Sequence, residues 1–97
     1  MKSVIRIARF EVPAADTEEM LVRRAALIAA VRARFPGLTE ARLAKADAES
    51  WIDAWRWESA AHLQAALEDA PGLPETSAAF ALTKNATAEL AEIVDER

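Results

Sequence analysis

The chain has 97 residues and a formal net charge of −4, and 53% of its residues are hydrophobic and 29% charged. This balance predicts one globular domain spanning residues 1–97 and excludes a disordered tail or a fibre. The sequence has no cysteine, which excludes disulfides and thiolate chemistry, and it has no basic block, which argues against a nucleic-acid partner. No apolar run approaches the length of a membrane span and no signal-peptide pattern opens the chain, so we expect no membrane partner and a cytoplasmic location.

The first elements are a strand over residues 3–12 and a long amphipathic helix. Asp16 followed by Glu19 is typical of a capping box, in which each side chain bonds to a free backbone N–H at the start of the helix. The helix is predicted to end at about Phe35, because Pro36 and Gly37 stop it. Its predicted buried side consists of Leu21, Ala25, Leu27, Ile28, Val31 and Phe35. The charged residues predicted to face solvent are Glu18, Arg23, Arg24, Arg32 and Arg34.

Residues 38–45 are predicted to form a second strand. Their composition also suits a helix, because alanine and arginine favour helices. However, the segment directly follows a helix stop, and a short connection leads from it into another strand. A β-hairpin is therefore the favoured interpretation.

The third strand contains all three tryptophans of the chain, at positions 51, 55 and 57. Successive side chains of a strand point to opposite faces, so Trp51, Asp53, Trp55 and Trp57 are predicted to share one face. Two interpretations remain open. Either the rings are core and Asp53 is a partly exposed residue, or the face is a pocket wall with one polar group. Aromatic stripes are more often core.

The last third of the chain is predicted to be helical and then ambiguous. Ser59 is a candidate N-cap for a second helix, which Pro71 and Gly72 end. A further helical piece over residues 75–83 is predicted to bury Ala79, Phe80 and Leu82. The tail from residue 86 to 96 fits a helix, and it also alternates imperfectly as a strand.

If the tail is a strand, the order β-α-β-β-α-β predicts a ferredoxin-like α+β fold. Its strands would form one antiparallel sheet with both helices on one face. The other face would be bare and apolar, which favours pairing with a second copy of the chain. The residues expected on that face are Ile5, Ile7, Ile52 and Ile93.

Two stretches resemble the antibiotic biosynthesis monooxygenase superfamily. They are Phe35-Pro36-Gly37 after the long helix, and residues 51–63, in which Trp57-Glu58-Ser59 is followed by His62. The resemblance covers most of the chain. It implies that the tail is the fourth strand and that two copies stack their sheets into a homodimeric α/β barrel. It also implies a small-molecule pocket between sheet and helices in each subunit, onto which the Trp57 face opens.

One branch of this superfamily oxidises anthrones without a metal or a flavin. Its substrate is deprotonated to a carbanion that reacts directly with oxygen. The pocket tryptophan of this branch matches Trp57, and its asparagine falls on Asp53, a carboxylate that would serve as a base. Its phenolic donor falls on Leu63, and the sequence has no tyrosine. The resemblance therefore implies a monooxygenase without cofactor, in which the set of proton-handling residues is incomplete.

A second branch degrades haem, and its residues match less well. Trp57 matches again, but the asparagine of the first strand falls on Ala8 and the iron-ligating histidine falls on Leu67. His62 lies five positions earlier, about 140° around the helix. It cannot replace that ligand, so we expect no haem chemistry.

The candidate site residues each have a structural alternative. We expect Asp53 and Trp57 to be catalytic and Trp55, Trp51, Arg6 and His62 to bind substrate. For Asp53 the alternative is an ion pair with Arg6; for the tryptophans it is the core; for His62 it is a surface position near a helix start. A metal site is not expected, since His62 is the only histidine. The competing function is a non-catalytic dimeric barrel that binds a small molecule or a partner protein.

Overall fold

A computed structural model describes residues 2–97 and contains one antiparallel sheet with helices on one face. The strands and helices are β1 (Val4–Glu11), α1 (Thr17–Arg34), β2 (Leu38–Lys45), β3 (Ser50–Trp57), α2 (Ala60–Asp69), α3 (Pro74–Phe80) and β4 (Lys84–Glu92). The strand order is β2-β3-β1-β4, and every neighbouring pair is antiparallel. This is the predicted ferredoxin-like α+β fold, and the ambiguous tail forms its fourth strand.

The register of the sheet gives each side chain its face. Residues directly opposite each other on paired strands share a face. Arg6 of β1 pairs with Trp55 of β3, and Ala8 pairs with Asp53. All three tryptophans and Asp53 therefore lie on the face covered by the helices, as their parity predicts.

Two of the tryptophans are buried in separate core clusters. Trp57 is 2% exposed and packs with Val31 of α1 and Leu63 of α2, among other residues. Trp51 packs with Val12 and with Met20 near the start of α1. The sheet is thus attached to the helices at both ends of β3, and the middle of the strand lies between the two clusters.

The opposite face of the sheet carries Ile5, Ile7 and Ile52, which are half-buried within this single chain. These three positions agree with the expected apolar face. Ile93 lies just after β4, where its backbone N–H donates to the carbonyl of Ser3 at 2.9 Å. No helix formed by residues 2–97 is long and apolar enough to cross a membrane.

The start of α1 differs from the prediction. The Asp16 side chain makes no capping hydrogen bond, and Glu19 instead pairs with Arg23 at 3.0 Å. A short 3₁₀ turn over Ala14–Asp16 precedes the helix, and the Asp16 N–H that Glu19 would have bound donates to the Pro13 carbonyl at 2.8 Å. The predicted capping box is therefore wrong.

The buried faces of α1 and α3 also need correction. Leu21 is 44% exposed and Phe80 is 47% exposed, although both were expected in the core. On α1 the predicted inward positions Leu27 and Val31 are confirmed, but Met20 is buried in place of Leu21, and Ala25 is exposed rather than buried. The stripe predicted from Leu21, Ile28 and Phe35 was therefore rotated by one position at its N-terminal end. On α3, Phe80 lies at the margin of a cavity rather than in packed core.

Candidate functional site

A cavity of about 160 Å³ lies between the helix-side face of the sheet and the three helices. Its walls are mostly apolar and include Phe10, Trp55 and Trp57 from the sheet. Leu67, Pro71 and Phe80 line it and are exposed, so they form its rim. A space of this size holds about one aromatic ring, and a larger ligand would extend past the rim.

Asp53 is the acidic group of the cavity, and it is 7% exposed. Arg24 donates from Nε to Oδ2 and from Nη2 to Oδ1, both at 2.9 Å. Trp55 Nε1 donates to Oδ1, also at 2.9 Å. Both carboxylate oxygens therefore accept charge-assisted bonds from a planar guanidinium, in the geometry that arginine favours.

Arg24 reaches Asp53 because it lies on the inward face of α1, between Met20 and Leu27. The prediction that Arg24 belongs to a solvated helix face is wrong: its side chain is 18% exposed and pairs with Asp53. The expected partner Arg6 is close enough to attract Asp53 electrostatically but makes no hydrogen bond to it. The spacing of Met20, Arg24, Leu27 and Val31 is the signal that would have revealed Arg24, since these positions lie on one side of a helix.

Arg6 lines the same cavity from the middle of β1. It makes no hydrogen bond or salt bridge with any residue from 2 to 97. Burial lowers the pKa of Arg6 from its ordinary value, and the Asp53 carboxylate opposes this change. The guanidinium remains protonated, but it has lost part of its hydration without gaining an ionic partner of its own.

The three tryptophans differ in how far they belong to the cavity and to the core. Trp55 and Trp57 line the cavity, whereas Trp51 lies in the separate cluster with Val12 and Met20. The indole N–H groups of Trp51 and Trp57 are buried and have no partner among residues 2–97. Such a donor costs about 1–3 kcal/mol. Trp51 is therefore core, Trp55 is cavity wall and Trp57 is both, while Asp53 is buried rather than partly exposed.

His62 lies outside the cavity. Its Nδ1 is 2.6 Å from Ser59 Oγ, and its backbone N–H donates to the same oxygen. This second bond confirms Ser59 as the N-cap of α2. The imidazole packs against Gly37, in a different cleft beside Phe35 and Pro36. The structure therefore does not bring His62 together with Asp53, Trp55 and Trp57.

Comparisons with solved structures place this geometry in a known fold. SnoaB, a cofactor-independent oxygenase from Streptomyces nogalater, is 25% identical over 100% of this chain and 96% of its own, with a TM-score of 0.67. The haem degrader MhuD from Mycobacterium tuberculosis is 26% identical over 97% of this chain and 98% of its own, with a TM-score of 0.70. A Caulobacter crescentus protein assigned to the antibiotic biosynthesis monooxygenases is 21% identical over 97% of this chain and 92% of its own, with a TM-score of 0.73. The chain has the antibiotic biosynthesis monooxygenase fold. No protein-family model matches the sequence, and no curated protein matches it.

Within this fold, the residues around the cavity do not fit haem. Leu67 lines the cavity where the resemblance places the iron-ligating histidine, and it offers no ligand atom. His62, the only imidazole of the chain, is bonded to Ser59 in the other cleft. Residues 2–97 also contain no group of three or more His, Asp or Glu side chains placed to hold a metal ion.

Proposed function

We propose that this antibiotic biosynthesis monooxygenase-type chain is an oxygenase that acts, without a metal or a flavin, on a planar, enolisable small molecule. The observation that carries the proposal is the cavity itself. It is apolar, it has aromatic walls from Trp55 and Trp57, and it contains one small polar group built from Asp53, Arg24 and Arg6. Apolar cavities with a few convergent polar groups are typical ligand sites. Its likeness to SnoaB, named as a cofactor-independent oxygenase, supports the reaction class.

The reaction needs no outside reductant when the substrate resembles an anthrone. The ring CH₂ loses a proton to give an enolate, and this electron-rich carbon is oxidised by molecular oxygen. The carbon loses two hydrogens and gains one oxygen atom as a quinone carbonyl. The second oxygen atom leaves as water. The substrate supplies both pairs of electrons, so the protein needs only to bind, orient and ionise it.

In this proposal Trp55 and Trp57 hold the ring by stacking and packing. Asp53 has two candidate roles, as the base or as one half of an ion pair. A proton arriving on Asp53 would remove the negative charge that pairs with Arg24, whose guanidinium donates to both carboxylate oxygens. These contacts favour the ion pair, in which Asp53 and Arg24 fix the shape of the polar end of the cavity. The substrate-binding roles of Trp51 and His62 find no support in their positions.

We also propose that two copies pair through the bare sheet face that carries Ile5, Ile7 and Ile52. A chain of this length buries only a modest share of its surface, so covering an apolar sheet face adds useful stability. Light scattering after gel filtration measures the mass directly. A mass of twice 10.6 kDa supports the dimer, and a monomer at micromolar concentration contradicts it.

The oxygenase proposal is tested with purified protein, a chelator and anthrone in an oxygen electrode. The expected result is oxygen uptake above the autoxidation of anthrone, in a one-to-one ratio with quinone formed. Tryptophan fluorescence follows binding in parallel, since Trp55 and Trp57 line the cavity. A haem titration is the control for the haem-degrading branch of the superfamily. Tight haem binding would contradict the conclusion, drawn from Leu67 and His62, that the cavity does not fit haem.

A non-catalytic binding protein is the second candidate, and a specific observation favours it. The position of the phenolic donor is Leu63, which is 3% exposed and belongs to the core, and the candidate base Asp53 is already paired. A fold does not by itself confer chemistry. Saturable quenching by anthrone without oxygen uptake would support this candidate and rule out the oxygenase for that substrate.

A further inference from the structure

Arg6 is a cation in the ligand cavity whose charge no protein group pairs directly. It lies on the helix-side face, directly across from Trp55 on β3 and from Leu90 on β4. Among residues 2–97 it makes no hydrogen bond and no salt bridge, whereas Arg9, three positions along the same strand, pairs with Glu89 at 2.7 Å. The difference follows from the face: Arg9 points to the other side of the sheet.

The nearby carboxylate makes no hydrogen bond to Arg6. The oxygens of Asp53 accept bonds from Arg24 and Trp55 instead. No other acidic residue lines the cavity within the described chain. The next acid on this face, Glu92 of β4, pairs with Lys2 at 3.0 Å.

The charge of the cavity is therefore unbalanced. Two guanidinium groups, Arg6 and Arg24, face one carboxylate, Asp53, in an otherwise apolar space. Burial already disfavours the Arg6 charge, as the lowered pKa of Arg6 indicates. An anion that entered the cavity would replace lost hydration with a charge-assisted, planar hydrogen-bond pair, and the apolar walls would strengthen the attraction.

We propose that the cavity selects ligands that carry an anionic oxygen, as a carboxylate or an ionised phenol or enol, and that Arg6 is the residue that binds this oxygen. The ring of the ligand then lies against Trp55, and the oxygen lies at the Arg6 end. This inference rests on the proposed function for the cavity being the ligand site, and it adds the substrate class: an aromatic acid or an acidic enol. For an anthrone-type substrate the bound group is the oxygen of the enolate, so Arg6 favours ionisation of the substrate itself.

Isothermal titration calorimetry with 2-naphthoate and 2-naphthamide tests the charge preference. The two probes share a ring and nearly a shape, and they differ in charge. Wild-type protein is expected to bind the carboxylate roughly tenfold to a hundredfold more tightly than the amide. Equal affinities, or tighter binding of the amide, would overturn the inference without any variant being needed.

Variants then assign the preference to Arg6. Arg6→Gln is expected to bind both probes equally, and Arg6→Lys to keep part of the preference, because lysine retains the charge but not the planar fork. Arg9→Gln is the matched control, on the same strand and the opposite face, and it should retain the full preference. A preference that survives in folded Arg6→Gln, or disappears in Arg9→Gln, would refute the assignment.

The test separates this inference from the proposed reaction. A charge preference without oxygen uptake from anthrone would remove the oxygenase and leave Arg6 as an anion-binding residue. Oxygen uptake with no charge preference would support the oxygenase and overturn the inference about Arg6. A naphthol that is ionised at the assay pH, compared with 2-naphthoate in the same titration, distinguishes an ionised phenol from a carboxylate as the preferred group.

Discussion

The Asp53–Arg24 pair gives the sharpest prediction for stability. Its side chains are 10% and 18% exposed, and two bonds of 2.9 Å join them. Asp53→Asn keeps an oxygen that can accept from Trp55 but removes the charge, which leaves the Arg24 guanidinium largely buried without a counter-ion. Removing one member of a buried pair costs about 3 kcal/mol. At 97 residues this corresponds to a fall of roughly 12–24 °C in the melting temperature.

The assay is urea unfolding followed by tryptophan fluorescence, at one fixed protein concentration because dimerisation would add to stability. Arg24→Met should be destabilising to a similar extent, since it leaves Asp53 unpaired. The double variant should lose less than the sum of the two, because an apolar replacement of the whole pair costs little. Glu89→Gln breaks the exposed bridge to Arg9 and serves as the control, with an expected change below about 1 kcal/mol.

Two outcomes would refute this reasoning. Asp53→Asn with a free energy of unfolding within about 0.5 kcal/mol of wild type would mean that the pair is not structural. Strict additivity in the double variant would mean that the two residues are not coupled. If Asp53→Asn kept its stability but lost oxygen uptake, the base role would replace the ion-pair role.

Two further predictions concern loops outside the cavity. Gly37 has φ of +106°, and an added Cβ would lie 2.6 Å from the Cβ of His62, so Gly37→Ala should cost about 2 kcal/mol or more in chemical unfolding. Adding His62→Ala should recover only the part due to the clash; full recovery would show that the backbone is not strained. In the β2–β3 turn, the backbone N–H of Glu49 and the groups of Ser50 lower the pKa of Asp47. A lowered carboxylate pKa stabilises the fold at pH values above the pKa of the unfolded state, which is about 4. This stabilisation is lost as the pH falls through the pKa of the folded state. Asp47→Ala should therefore be less stable than wild type at neutral pH, and the difference should shrink in acid; a difference independent of pH would contradict this.

The sequence predicts most of the fold because the patterns that define it are local. The parity of Trp51, Trp55 and Trp57 gives the face of β3, and the stop at Pro36 and Gly37 gives the end of α1. The residues 38–45 predicted for β2 are those observed. The tail is different, because helix and strand patterns both fit it. The resemblance to a known superfamily identifies it as a strand, and the pairing of β4 with β1 is the contact that fixes it.

The candidate site is less predictable, because it depends on which charges come together across the chain. Arg24 looks like one of several surface arginines of α1, and only the position of α1 over β3 brings it to Asp53. Arg6 is then left without the carboxylate that the sequence suggests for it. His62 carries the strongest chemical signal of the second helix, yet its bond to Ser59 turns it into another cleft. Pairing of this kind is set by tertiary packing rather than by spacing.

We propose that the cavity between sheet and helices is the site of an oxygenase, and a variant in which this cavity is blocked is the strictest test of the proposal. Ala79 of α3 lines the cavity, whereas its neighbour Ala78 is exposed and does not. Oxygen uptake with anthrone should be measured for wild type, Ala79→Trp and Ala78→Trp, with circular dichroism to confirm that each is folded. We expect oxygen uptake by wild type and Ala78→Trp and loss of uptake in Ala79→Trp. Equal rates in the two folded variants, or no uptake by wild type, would contradict it.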